Sequence, residues 1–118
     1  MNASALSKAR ESFAEVLDRC CPDISSPLER DEAVALADLF KALADPARVQ
    51  LLSLIKAQPD GQCVCNLLDA VELSQPTVSY HLKVLHEAGL LTRRRQGSWA
   101  YYRVVPERLA AIARAVRP

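Results

Sequence analysis

The sequence predicts a mainly α-helical (α+β) fold: a winged helix-turn-helix of about six helices and a two-stranded β-hairpin, assembled as a homodimer. Three observations lead to this fold class. Apolar residues recur at helical spacing along most of the 118 residues. The predicted helix within Leu73–Gly89 exposes small polar side chains on its N-terminal half, as a helix that reads base edges requires. A hairpin rich in arginine follows it directly.

Two helices separated by a proline-bounded loop are predicted at the N-terminus. Ser4–Arg19 carries an apolar stripe, and its helix should end at Cys21 because Pro22 disfavours helical geometry in the residue before it. Leu28–Ala44 begins with acidic side chains, which suit a helix N-terminus. The residues expected on its buried face are Leu36, Leu39, Phe40 and Leu43.

The next two predicted helices lead into the helix-turn-helix. Asp45 as N-cap and a following proline start a helix over Pro46–Ala57, which a proline- and glycine-containing turn ends. Cys63–Val71 is a short fourth helix, and a two-residue turn joins it to the next helix. The residues expected to be buried in the third helix are Val49, Leu52 and Ile55.

The fifth helix is predicted from its ends and its apolar spacing. Ser74 is a natural N-cap, Pro76 falls in the first turn, and Gly89 is the expected C-terminal stop. One narrow stripe should be buried, formed by Val78, Leu82 and Leu85. Taken alone, the stretch is also compatible with an ordinary amphipathic surface helix.

Leu90–Arg95 and Trp99–Val104 read as two strands around a compact connection that contains Gly97. This hairpin contains four arginines and no acid, and we expect Trp99 to pack within it. Pro106 opens a last helix. Its expected stripe is Leu109, Ile112, Ala113 and Val116.

Composition and charge narrow the class of protein. Half of the residues are hydrophobic and a quarter are charged, which is typical of a globular chain, and 118 residues correspond to one domain. The net charge is +1, but residues 73–103 hold five basic residues and one acid, as a phosphate-binding surface would. No apolar run spans a membrane and no signal peptide is evident, so we expect a cytoplasmic protein.

Four stretches of the chain resemble the ArsR/SmtB family of bacterial metal-responsive repressors. They are DLFKALADPARVQLL (Asp38–Leu52), CVCNL (Cys63–Leu67), LSQPTVSYHLKVLHEAGLL (Leu73–Leu91) and RRRQGSWAYYRV (Arg93–Val104). The resemblance implies a homodimer that binds double-stranded operator DNA and leaves it when metal binds. It also implies a division of the single domain into a dimerisation and metal-ligand segment (1–27), a DNA-binding core (28–104) and a C-terminal dimerisation helix (105–118).

Four cysteines form the candidate metal site: Cys20, Cys21, Cys63 and Cys65. In a cytoplasmic chain these thiols are reduced, and a helix N-terminus lowers the pKa of a thiol such as those of the CVC segment. Sulfur ligands select soft ions. The vicinal pair resembles arsenic-responsive members of the family, which favours As(III) or Sb(III) on three thiolates as inducer. Four thiolates would suit Cd(II), Pb(II) or Zn(II), Cys65 could be a spectator, and Cys20 and Cys21 could instead be small core residues.

The resemblance places the base-reading positions on the predicted fifth helix, which is here called the recognition helix. The basic residues of this helix and of the hairpin suit contacts with DNA phosphates. Because side chains alternate along a strand, about two of the three consecutive arginines should contact DNA. The expected DNA-binding residues are Gln75, Thr77, Ser79, Tyr80, Lys83, Arg93, Arg94 and Arg95.

Two alternatives remain open from the residues. The switch could be a thiol oxidation rather than metal binding. The winged helix could serve protein–protein contact alone, although its basic segment argues against this. An enzyme is not expected, because neither histidine adjoins a nucleophile and the three glycines form no phosphate-binding loop.

Overall fold

The computed structural model describes residues 27–118, which form five helices and three strands. The predicted helix Ser4–Arg19, with Cys20 and Cys21, lies outside these residues. In chain order the elements are α1 (Arg30–Leu43), α2 (Pro46–Lys56), β1 (Gln62–Cys63), α3 (Val64–Ala70), α4 (Gln75–Glu87), β2 (Leu91–Gln96), β3 (Trp99–Val104) and α5 (Pro106–Val116). The winged-helix arrangement of the prediction is confirmed.

The chain divides into two compact units. Among the described residues, the first comprises residues 27–40 with Pro106–Pro118, and the second comprises Lys41–Val105. The second unit contains the helix-turn-helix and the sheet. Within residues 27–118, no helix is both long enough and apolar enough to cross a membrane.

Helix α2 begins as predicted, and of its predicted core residues Ile55 is buried and Leu52 half-buried, but Leu51 takes the place of Val49 in the core. Asp45 is the N-cap, and its Oδ1 accepts the Ala47 N–H at 2.8 Å. Leu51 and Ile55 are fully buried, whereas Val49 is 51% exposed, so the expected position of Val49 in the core is wrong. Arg48 lies three residues before Leu51 and therefore on the same side of the helix. Because its guanidinium makes hydrogen bonds within the protein, this side of α2 faces inward and Val49 faces solvent.

Helix α4 has the predicted ends and the predicted core. Ser74 Oγ accepts the N–H of Thr77 at 3.3 Å, and Gly89 at φ +82° allows the left-handed turn that ends the helix. The N–H of Leu90 closes that turn on the carbonyl of Leu85 at 3.0 Å. The buried residues are Val78, His81, Leu82 and Leu85.

The predicted two-stranded hairpin is confirmed as β2 and β3, and the short strand β1 joins it in a three-stranded antiparallel sheet of order β1-β3-β2. Gln62 pairs with Tyr102, and Cys63 pairs with Tyr101. Two residues are too few to show a period, which is why the pattern missed β1. The connection between β2 and β3 is Gly97-Ser98, with Gly97 at φ +66°.

Helices α1 and α5 bury fewer of the predicted residues. Leu36 and Leu39 of α1 are buried as expected, but Phe40 is 38% exposed. The side of α1 that is buried continues through the small residues Ala35 and Ala42 instead. Helix α5 buries Ala111 and Ala115, which are four residues apart, whereas the predicted Leu109 and Ile112 are half-buried and Ala113 and Val116 are exposed.

Candidate nucleic-acid interface and thiol pair

A groove of about 600 Å³ lies between the helix-turn-helix and the hairpin. Helix α4 contributes Gln75 and Ser79, and strand β2 contributes Arg93 and Arg95. Asp69 adds one carboxylate to this lining. Hydrogen-bonding side chains from a helix and two guanidinium groups from a strand therefore face the same space.

The register of the hairpin explains which arginines face the groove. Arg93 lies opposite Tyr102, whose side chain also lines the groove. Arg94 lies opposite Tyr101, and its guanidinium carbon is 6.0 Å from the centre of that ring. Because successive side chains of a strand point to opposite faces, Arg94 is directed away from Arg93 and Arg95.

The other predicted DNA-binding residues of α4 differ in their availability. Tyr80 is 60% exposed, and Lys83 is exposed. Thr77 is half-buried, and its Oγ1 accepts a hydrogen bond from the hydroxyl of Ser74 at 2.9 Å. The Thr77 side chain is therefore part of the helix cap, which leaves its own hydroxyl proton for a further contact.

Trp99 is the main groove residue that the sequence reasoning did not assign to DNA. It was expected to pack in the hairpin, but 54% of its surface is exposed and it lines the groove beside Ser98. Its place at the start of β3, next to the turn, leaves little of the sheet to cover it. The signal in the sequence was the position of Trp99 beside the turn of an arginine-rich hairpin, which could have indicated an exposed place in the groove.

The two described cysteines occupy the junction of β1 and α3, as predicted. Cys63 is extended (φ −72°, ψ 142°) and caps α3, with its sulfur accepting the N–H of Cys65 at 3.4 Å. Cys63 is 5% exposed, whereas Cys65 is half-buried and lines the groove. Neither is disulfide-bonded.

The expected lowering of the thiol pKa is not found at Cys65. The hydrogen bond with the Cys63 side chain raises the pKa of the Cys65 thiol above its ordinary value, and partial desolvation adds to the rise. The influence of a neighbouring sulfur therefore outweighs that of the backbone N–H groups in the first turn of α3.

Two amide side chains hold the cysteine segment against α2. Gln62 Nε2 donates to the Leu54 carbonyl at 3.3 Å, and Asn66 Nδ2 donates to Gln62 Oε1 at 3.1 Å. The thiol of Cys65 points to Asn66 Oδ1 at 3.9 Å. Within residues 27–118, no three histidine, cysteine or acidic side chains gather closely enough to hold a metal ion. Two sulfurs are thus what this part of the chain offers to a soft ion.

Comparisons with known proteins agree with this geometry. Residues 45–93 match the family described as "Bacterial regulatory protein, arsR family". The arsenic resistance transcriptional regulator ArsR1 of Pseudomonas putida is 52% identical over 69 residues, which are 58% of this chain and 53% of that protein.

A longer alignment joins the chain to the HTH-type transcriptional repressor SmtB of Mycobacterium tuberculosis. It is 37% identical over 102 residues, covering 86% of this chain and 70% of that protein. Among solved structures, HlyU from Vibrio cholerae is similar with a TM-score of 0.64 and 27% identity, over 72% of this chain and 89% of that one. The matched family and relatives are DNA-binding transcriptional regulators rather than enzymes. The chain belongs to the ArsR/SmtB family of transcriptional repressors.

Proposed function

We propose that this protein is a homodimeric repressor that releases its operator when trivalent arsenic or antimony binds cysteine thiolates. The observation that carries the proposal is the shared groove, in which Gln75 and Ser79 of α4 face Arg93 and Arg95 of β2. Such a groove suits a DNA strand whose bases meet the helix and whose phosphates meet the arginines.

In this proposal the exposed side of α4 enters the major groove. The Gln75 amide can pair with adenine through two hydrogen bonds, and Ser79 and Tyr80 supply further hydroxyl groups. Thr77 contributes its remaining hydroxyl proton. The phosphate contacts, which set affinity rather than sequence preference, are assigned to Lys83, Arg93 and Arg95, with Arg94 more peripheral.

The inducer site is proposed to combine Cys63 with Cys20 and Cys21. Three thiolates suit As(III) and Sb(III), and a fourth sulfur from Cys65 would instead suit Cd(II), Pb(II) or Zn(II). Two observations support a sulfur site: Cys63 and Cys65 adjoin one another at the start of α3, and a 52% identical relative is named as an arsenic resistance regulator.

A homodimer and a cytoplasmic location complete the proposal. Three large apolar side chains of the first unit are more than a third exposed, namely Val34, Phe40 and Val116. Apolar surface of this kind is typical of a face that a second copy of the chain covers. The cytoplasmic location follows because a repressor must be in the same compartment as the DNA that it binds.

Release requires a difference in affinity between two conformations. An inducer shifts the equilibrium only if it binds the DNA-free conformation more tightly than the DNA-bound one. A bond network between Cys63 and the segment that carries Cys20 and Cys21 would restrain that segment against the start of α3, and we propose that this restraint is incompatible with operator binding.

The test starts from duplexes that the reduced protein selects from a randomised pool. Fluorescence anisotropy of one labelled duplex is followed while arsenite, and separately Cd(II), is added to the protein–DNA complex. Cys63→Ser and the double variant Cys20→Ser/Cys21→Ser remove proposed ligands, and Cys65→Ser is the matched control. The emission of Trp99, the one tryptophan of the chain, reports on the groove in the same titrations.

We expect arsenite to release the wild type and the Cys65→Ser variant at similar concentrations, while the other two variants stay on DNA. Unchanged release of Cys63→Ser would contradict the role of Cys63. Release by Cd(II) alone would replace the arsenic assignment with a four-sulfur site for a divalent ion. Retention under both ions with release by peroxide would replace metal binding with a thiol redox switch.

A further inference from the structure

The side chain of Arg48 on α2 bonds to two other helices at once. Its Nε donates to the carbonyl of Ala42 at 2.7 Å, and its Nη2 donates to the carbonyl of Lys41 at 3.3 Å, both in the last turn of α1. Its Nη1 lies 3.1 Å from Nδ1 of His81 on α4. A planar guanidinium presents these donors in a fixed fork, so the three bonds constrain one another.

The contact with Arg48 determines the hydrogen-bonding state of His81. Arginine has donors and no acceptor, so Nδ1 of His81 is the acceptor in this hydrogen bond. His81 is 9% exposed and lies on the buried side of α4 next to Leu82. On the buried side of α4, His81 therefore makes a directional hydrogen bond, whereas the other buried residues of the helix are apolar.

The ring of His81 also touches the exposed side of the recognition helix. Its centroid lies 5.5 Å from that of Tyr80, with the two planes tilted by 58°. Tyr80 is 60% exposed and is one of the residues proposed to contact DNA. A continuous chain of contacts therefore runs from the last turn of α1 through Arg48 and His81 to Tyr80.

We propose that Arg48 is a positioning residue for DNA recognition, which acts through His81 to fix the rotation of α4 about its axis and the orientation of Tyr80. The apolar stripe of α4 holds the helix against the core, but hydrophobic contact has no direction. A hydrogen bond of 3.1 Å to a charged donor has a strict geometry and can fix the rotation. This inference rests on the proposed reading of DNA by α4.

The experiment compares sequence preference with general affinity. Anisotropy gives the dissociation constants for a duplex selected by the wild-type protein and for a scrambled duplex of the same composition, over a series of KCl concentrations. The variants are Arg48→Met, His81→Leu, their double variant, and His81→Asn. Lys56→Met is the matched control, because it removes the same charge from an exposed position of the same helix. Urea unfolding establishes the folded fraction of each protein.

We expect Arg48→Met and His81→Leu each to reduce the ratio of selected to scrambled affinity about tenfold, the scale of one charge-assisted hydrogen bond. The double variant should lose no more than either single variant, because both break the same contact. His81→Asn should retain the ratio within about threefold, since Asn Oδ1 can accept the bond in place of Nδ1. Lys56→Met should leave the ratio unchanged.

Three results would overturn the inference. Additive losses in the double variant would show that Arg48 does not act through His81. An equal loss for both duplexes, with a salt slope reduced by about one, would make Arg48 a phosphate contact. An unchanged ratio in the folded variants would leave Arg48 as a cap of α1 alone. If the wild-type protein selects no duplex, the proposed function falls first and this inference falls with it.

Discussion

Cys63 and Cys65 are two residues apart, yet their sulfur atoms have different surroundings. The sulfur of Cys63 is buried and accepts the N–H of Cys65, whereas Cys65 opens into the groove. A hydrogen bond between the two cysteine side chains, more than desolvation, raises the pKa of the Cys65 thiol. The thiol that opens into the groove is therefore a weaker acid than an ordinary cysteine.

Cys63→Ala should lower the pKa of Cys65 toward its ordinary value, because it removes the sulfur that causes most of the rise. A lower pKa increases the thiolate fraction at pH 7.5, so alkylation of Cys65 by iodoacetamide should be faster than in the wild type. Peptide mapping by mass spectrometry measures the rate at this position. Leu68→Ala in the same helix is the control, and an equal acceleration in it would show that looser packing is responsible.

The three consecutive arginines differ because a strand alternates. Arg93→Ala and Arg95→Ala should each reduce the slope of log affinity against log salt concentration by about one, the effect of one lost phosphate contact. Arg94→Ala should change the slope less, because its guanidinium lies over Tyr101 on the opposite face of the hairpin. Equal slopes for all three variants would contradict the assignment of the groove as the phosphate-binding surface.

At the level of elements, different residues along α4 contribute to the stability of the helix and to the groove. Its start depends on Ser74, whose hydroxyl caps the helix, while Ser79 is exposed in the groove one turn later. Its end depends on Gly89 in the left-handed region. The hydroxyl of Ser74 therefore stabilises the helix, whereas the hydroxyl of Ser79 is exposed to a partner in the groove.

Ser74→Ala should reduce the free energy of unfolding by about 1 kcal/mol, the usual contribution of an N-cap. Ser79→Ala should not destabilise the protein, since alanine has the higher helix propensity and the hydroxyl lies in the open groove. Its affinity for a selected duplex should fall instead. Urea unfolding and anisotropy measure the two quantities, and a comparable loss of stability in both variants would show that Ser79 supports the fold.

At the scale of the whole molecule, positive charge is concentrated in one part of the chain. Positive charge accumulates from residue 73 onward, where the recognition helix and the hairpin lie. Exposed apolar side chains occur in the first unit at Val34, Phe40 and Val116. The basic part of the chain suits binding to DNA phosphates, and we propose that the exposed apolar residues of the first unit face a second copy of the chain.

Phe40→Asp and Val116→Asp should each shift the protein toward the monomer in sedimentation velocity, because a carboxylate in a dimer interface loses its hydration without gaining a partner. Val49→Asp is the matched control, since Val49 is 51% exposed but belongs to the second unit. A dimer that survives both first-unit variants, or that Val49→Asp alone disrupts, would refute the proposed interface.

The sequence alone determined the features that depend on a few neighbouring residues. Asp45 and Ser74 cap helices where expected, and Gly89 and Gly97 adopt the left-handed conformation that their turns require. These choices are local because a cap or a turn is completed within about four residues. The helix-turn-helix, the hairpin and the position of the CVC segment at a helix start followed from them.

The tertiary structure decided what depends on residues far apart in the chain. Helix α2 could bury the side of Val49 or the side of Leu51, and the apolar spacing predicted the first choice. The second is realised because Arg48 finds acceptors in the last turn of α1 and in His81, 33 positions away. Strand β1 likewise exists only through its pairing with β3. A partly buried charge and a two-residue strand are stable where partners complete their hydrogen bonds, and no local pattern encodes those partners.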